Sequence, residues 1–180
     1  PEYNTSPPTG ELVGSGWELQ GDWRHFLGTP ISNHHFITAK HLGGVVGDKL
    51  SLNGVEYTTT AFFDDPNSDL RIWRVRGRFP SFCALYSRSD EVGKSIVVFG
   101  RGTQRGSEVI ATGFLGEVLK GWQWGLADGR KRWGENQVSS LVNSKSGLSD
   151  RAGDLLRMPF TAQAGPNEAH LSAGDSGGGV

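Results

Sequence analysis

Three short strings in this 180-residue chain carry groups that could perform acyl transfer if the fold brings them together. The first is Ala173-Gly174-Asp175-Ser176-Gly177-Gly178-Gly179. A serine hydroxyl is a weak nucleophile, so it needs a neighbouring base and a site that accepts the developing oxyanion. Flanking glycines meet the second need, because they let backbone N–H groups converge and leave room for a carbonyl to approach. The second string is Thr38-Ala39-Lys40-His41. An imidazole titrates near neutrality, which suits it to take the serine proton and return it to a leaving amine. In the third, Asn67-Ser68-Asp69-Leu70-Arg71-Ile72, a carboxylate opens an apolar strand. Joined with the others, Asp69 can hold the imidazole in one tautomer and stabilise its charged form. Singly, the three read as a Gly-rich surface turn, a satisfied core histidine and an ordinary turn aspartate.

The elements around them read as short strands. Phe36-Ile37-Thr38, Lys49 to Leu52, Val55 to Thr60 and Leu70 to Val75 are brief apolar runs separated by turn residues. Asn53-Gly54 between two of them signals a hairpin, since both residues tolerate positive φ. Leu70 to Val75 alternates strictly, with Leu70, Ile72 and Arg74 on one face and Arg71, Trp73 and Val75 on the other. A second series follows in Ser95 to Gly100, Glu108 to Phe114, the stretch around Trp122 and Trp124, and Trp133 to Leu141. Residues 1–13, with three prolines, read as an extended arm, 77–95 as a connection, and Ser149 to Leu156 as a helical turn. This pattern fits a sandwich or barrel better than any βαβ arrangement.

Composition narrows the functional classes. Lys+Arg number 18 against 19 Asp+Glu, so charge implies neither a nucleic-acid surface nor a strongly acidic partner. No stretch approaches the length of a membrane-spanning helix, and a soluble chain is expected. Gly 27 against Met 1 suits a turn-rich β protein. The lone Cys83 excludes an internal disulfide and, within an apolar run, is expected to be an inert buried thiol. Pro1 in place of Met leads to the expectation that an N-terminal segment, with any signal peptide, has been removed.

In the order His41, Asp69, Ser176, the three strings resemble the chymotrypsin/trypsin family of serine proteases, in a disulfide-free bacterial-type variant. GTPIS…FITAKH is similar to the strand running into that family's Thr-Ala-Ala-His motif, NSDLRIWRV to its Asn-Asp-Ile-Ala-Leu strand, and SAGDSGGG to its Gly-Asp-Ser-Gly-Gly-Pro motif. SIVVFGRG resembles the strand that opens the second barrel. The resemblance implies an all-β fold of two antiparallel six-stranded barrels: 14–80 carrying His41 and Asp69, a connection at 81–94, and 95–180 carrying Ser176. It implies a serine endopeptidase working through an acyl-enzyme, in which Ser176 attacks, His41 shuttles the proton and Asp69 orients His41. The N–H groups of Gly174 and Ser176 would form the oxyanion hole. His170 falls at the base of the primary specificity pocket, and the absence of an acid there argues against a preference for Lys or Arg. The implied partner is a peptide or protein substrate, with no cofactor or metal, no nucleic acid and no membrane span. A secreted or periplasmic monomer is expected.

The departures from the family carry expectations of their own. Leu42 replaces a common Cys, and Gly179 replaces a Pro, which should loosen the turn after the nucleophile. No basic residue followed by Ile-Val-Gly-Gly occurs near the start, so some cation other than a new N-terminus is expected to hold Asp175. Only four residues follow Ser176, so the second barrel is expected to be incomplete after the nucleophile, the chain being either part of a larger enzyme or a remnant.

Gly174-Asp175-Ser176-Gly177-Gly178 also satisfies the G-x-S-x-G pattern of α/β-hydrolases, but their histidine follows the serine. A catalytically inactive protease-like domain could bind a peptide or partner through Trp122, Trp124 and Trp133, although core packing is the favoured account of these side chains. The run Asp64-Asp65-Pro66-Asn67-Ser68-Asp69 lacks the Gly and Glu of a calcium loop and reads as the turn that presents Asp69.

Overall fold

The computed structural model describes residues 4–114, 116–143, 154–161 and 164–180. Among the described residues the chain is all-β apart from three single-turn 3-10 segments. Six strands, β1 (Gly21–Trp23), β2 (Phe26–Ser32), β3 (His35–Ala39), β4 (Lys49–Leu52), β5 (Val55–Asp64) and β6 (Leu70–Val75), form a closed barrel in the order β1-β2-β3-β6-β5-β4. Closure comes from antiparallel pairing of β1 with β4, and it removes the exposed edges an open sheet would leave.

The hairpin at Asn53-Gly54 forms as expected, with φ of 52° and 80° at the two residues and Leu52 paired with Val55. Along β6 the burial alternates as the pattern requires: Trp73 and Val75 face the core, while Leu70 and Arg74 are exposed. Trp23, Phe36, Leu42, Leu50, Leu52, Tyr57, Trp73, Val75 and Phe79 fill the barrel. The Trp23 and Trp73 rings lie 4.8 Å apart by centroid. At Gly28 a Cβ would collide with the Phe36 ring, so the barrel admits only glycine there. Strand β1 and the turn Asn33-His34, which folds Phe26–Ala39 into a hairpin, carry no sequence periodicity that announces them.

Beyond the connection, the described strands pair as three two-stranded ribbons rather than as a closed six-stranded barrel. They are β7 (Ser95–Gly100) with β10 (Arg132–Gln137), β8 (Arg105–Gly113) with β9 (Gly116–Trp124), and β11 (Ser140–Asn143) with β12 (Asp154–Arg157). The run Trp133 to Leu141 is thus split between two strands. Of the helical turn expected at Ser149 to Leu156, residues 149–153 lie outside the described residues, and Asp154 to Leu156 belong to β12.

Within the arm, residues 4–13 are docked rather than extended free: the carbonyls of Asn4 and Ser6 accept hydrogen bonds from the backbone and indole N–H of Trp133. Cys83 is half-buried, not buried, and desolvation pushes its thiol pKa up. The tryptophans divide. Trp133 is core, Trp122 is half-buried under the Arg105 guanidinium at 4.1 Å, and Trp124 is 66% exposed, contrary to the packing expected for it.

Candidate active site

His41 lies in the single turn Lys40–Leu42 that follows β3, and Asp69 in the turn that leads into β6. Because β3 and β6 are paired neighbours, with Ala39 opposite Leu70, the two residues leave the same end of the barrel side by side. The turn is braced from below. Lys40 Nζ donates to the carbonyls of Asp65 (3.0 Å) and Ser68 (2.8 Å), and Lys40 N–H donates to Asp69 O at 2.7 Å. The acidic run serves the turn itself. Ser68 Oγ and Asn67 N–H both donate to Asp65, holding its carboxyl below the usual range, while Arg71 donates to both oxygens of Asp64 and does the same there. Among the described residues no group of three or more His, Cys, Asp or Glu is placed to hold a metal ion.

The structure brings His41, Asp69 and Ser176 together. His41 Nδ1 lies 2.5 Å from Asp69 Oδ2, His41 N–H donates to Asp69 Oδ1 at 3.0 Å, and His41 Nε2 is 3.0 Å from Ser176 Oγ. With the ring proton on Nδ1 donated to the carboxylate, Nε2 is left as the acceptor for the serine hydroxyl. The His41 side chain is 39% exposed and that of Asp69 20%, so the ring is a surface group rather than a core histidine.

Ser176 is seated against the barrel by the residues that follow it. A Cβ at Gly177 would meet Leu27 O and Thr38 Oγ1, one at Gly178 would meet Phe99 O, and one at Gly179 would meet the Gln20 amide. The three glycines are therefore the fit of the 176–180 loop to the barrel wall. Gly179 does not loosen this turn as expected. Its N–H donates to Gln20 Oε1 at 2.9 Å and its carbonyl accepts from Phe99 N–H at 3.0 Å, and proline has no N–H to donate. Gln20 is buried, with Oε1 also accepting from Thr29 Oγ1 and Nε2 donating to Gly16 O.

The expected cation on Asp175 is not found. Its carboxylate accepts from Gly102 N–H (2.6 Å) and Ser172 N–H (2.7 Å), with Ser172 Oγ at 3.2 Å, and none of the ion pairs among the described residues involves it. Gly100 and Gly102 are glycine because the Asp175 carboxylate and the Ser172 hydroxyl occupy the space a Cβ would need. Gly174 has φ of +103°, and among the described residues neither its N–H nor that of Ser176 donates to a protein acceptor. His170 is exposed, edge-on to Phe160 with centroids 6.0 Å apart. It borders a cleft of about 360 Å³ whose walls include Trp122, Phe160, Glu168 and Ser172. Sequence reasoning missed Gln20 and Ser172. The one advance signal for Ser172 is the pair of glycines flanking Arg101, and none points to Gln20.

No protein-family model matches the sequence, and no curated protein matches it either. Among solved structures, the chain is similar to Rv3671c from M. tuberculosis H37Rv, a serine-to-alanine mutant in its inactive form. The match has 14% identity and a TM-score of 0.57, covering 96% of this chain and 75% of the other. A second structure, Rv3671c protease in an inactive form, matches at 15% identity and a TM-score of 0.48 over 84% of this chain and 64% of its own. At these identities the likeness shows the fold alone: all-β, built on a closed six-stranded barrel, as in chymotrypsin-like proteases. No helix among the described residues is long and apolar enough to cross a membrane.

Proposed function

We propose that this chain is a serine endopeptidase that hydrolyses peptide bonds through an acyl-enzyme on Ser176. The observation that supports it is the His41 ring held between Asp69 and Ser176, groups that lie 28 and 135 residues away in sequence. In the proposed reaction His41 Nε2 takes the proton as Ser176 Oγ bonds to the scissile carbonyl carbon. The carbonyl oxygen becomes an oxyanion facing the N–H groups of Gly174 and Ser176. His41 then gives its proton to the departing amine as the C–N bond breaks, leaving the acyl-enzyme. Water, deprotonated by His41, attacks the ester, and His41 returns that proton to Ser176 Oγ as the C–O bond breaks and the acid leaves. Asp69 holds the ring and stabilises its cationic form throughout.

In this reading residues 14–80 and 95–180 are the two halves that frame the cleft, and the enzyme is a secreted or periplasmic monomer. His170 and the cleft beside it contribute to substrate selection. The exposed Trp124 keeps a second reading in play, a protease-like domain that binds a peptide without cleaving it. Peptide hydrolysis by the complete natural polypeptide, compared with its Ser176→Ala variant, decides between them. Turnover lost in the variant is the expected result. Turnover retained, or none in either protein, defeats the enzyme reading.

A further inference from the structure

Ser172 is not one of the three reacting residues, yet its side chain occupies the centre of the bonds that fix the loop in front of Ser176. Its Oγ accepts from Thr103 N–H at 2.8 Å and reaches Asp175 Oδ2 at 3.2 Å, while its N–H donates to the same oxygen at 2.7 Å. Gly102 N–H completes the set at Asp175 Oδ1, 2.6 Å away. Hydrogen bonds to an ionised carboxylate are about twice as strong as neutral ones. The nearby charged groups are engaged elsewhere. Arg101 pairs with Asp22, Arg132 pairs with Asp128, His170 Nδ1 faces Leu171 O, and His41 faces Asp69 and Ser176.

Asp175 lies between Gly174 and Ser176, so anchoring its side chain constrains the peptide planes on both sides. The plane after Asp175 carries the Ser176 N–H, and the Gly174 N–H lies on the Ala173–Gly174 plane, which the bonds between Ser172 and Asp175 bracket. On the other side Gly174 is confined, since a Cβ there would strike Arg101 O.

We propose that Ser172 is a positioning residue. With the Gly102 N–H it clamps the Asp175 carboxylate and so sets the Gly174 and Ser176 amides, assembling the site with neutral donors in place of a cationic partner. This rests on the serine endopeptidase reading and adds to it a consequence for activation. A site organised by an N-terminal ammonium loses that partner as the amine deprotonates, at a pKa of about 7.7–8.0, whereas amides and a hydroxyl do not titrate there.

The test measures kcat and KM on a chromogenic peptide with the complete natural polypeptide and its Ser172→Ala and Ser172→Thr variants. Ser172→Ala is expected to lower kcat by about tenfold to a hundredfold with KM changed by less than about twofold, as for loss of a donor that acts in the transition state. Ser172→Thr, which keeps the hydroxyl, is expected to restore kcat to within about threefold of wild type. Wild-type kcat/KM should stay level from about pH 8 to 10. Unchanged kcat in Ser172→Ala, no rescue by threonine, or an alkaline fall near pH 8 overturns the proposal while leaving Ser176 as nucleophile. An NMR titration of the wild type reads the clamp without turnover: the Gly102 and Ser172 amide protons should shift together as the Asp175 carboxyl is protonated. If they do not, the clamp is wrong. A wild type that binds but never cleaves, with that coupled titration intact, instead defeats the endopeptidase reading.

Discussion

The closed barrel and the ribbons after it place their functional groups by different physics. In the barrel, nine large buried side chains, from Trp23 to Phe79, form one cluster, and His41 and Asp69 extend from two paired strands packed on it. In the second half the buried cluster is Leu27, Phe99 and Trp133, and Leu27 belongs to the barrel wall. Ile110, Phe114, Leu126 and Leu155 are at least half exposed. Ser176 is held chiefly by hydrogen bonds: Gly179 to Gln20 and Phe99, and Asp175 to Gly102 and Ser172. The proposed base and orienter are thus positioned by packing, and the proposed nucleophile by directed polar contacts. Packing tolerates a lost contact by relaxing in part, whereas a buried polar group left unpaired bears its full desolvation cost.

That contrast can be broken at five residues. The largest effect is expected at Asp69→Asn, which keeps the shape of the turn but removes the charge facing His41 Nδ1. A fall in kcat of about 10⁴ is expected, read by steady-state kinetics, with the melting temperature little changed. Trp73→Ala strikes the barrel core, and chemical denaturation should show a loss of about 3–5 kcal/mol, with base and orienter displaced together. Gln20→Ala should cost about 1–3 kcal/mol by leaving the Gly179 N–H unpaired. Its signature in hydrogen exchange should be confined to residues near 177–180, and a uniform loss of protection across the barrel would erase the distinction drawn here.

The smallest effect is an acid limb with one contributor in each half. Arg71 holds the Asp64 carboxyl below its ordinary range in the barrel, and Arg132, Gln104 and Arg130 N–H hold Asp128 well below it in the second half. A depressed carboxyl pKa adds stability above its unfolded value of about 3.9 and loses it as pH falls through the folded value. Melting temperature should therefore decline below about pH 4, and Asp64→Asn and Asp128→Asn should each flatten part of that decline. A wild-type melting temperature that is level from pH 5 to 2 would contradict both assignments.

What could be read in the sequence follows the same divide. The barrel hairpin at Asn53-Gly54 and the two faces of β6 were readable because turn chemistry and period-two burial are local properties of the chain. The strings around His41, Asp69 and Ser176 were readable as chemistry, since each residue type is matched to a role. The seat of Ser176 was not. That Gly179 must be a hydrogen-bond donor, that Gly100 and Gly102 make room for Asp175 and Ser172, and that Gln20 reaches the 176–180 loop all depend on partners 69 or more residues away. The second half was expected as a barrel left incomplete after Ser176, and its described strands pair as ribbons, because strand-like runs such as Glu108 to Phe114 specify pairing without specifying closure.

The central claim is that His41 makes Ser176 nucleophilic. It is tested most directly by treating the complete natural polypeptide with a fluorophosphonate at neutral pH and locating the adduct by peptide mass spectrometry. The account expects one phosphonyl group, on Ser176, and labelling slowed by at least about a thousandfold in His41→Ala. Labelling of Ser176 at an undiminished rate in that variant, or an adduct on any other residue in its place, would contradict it.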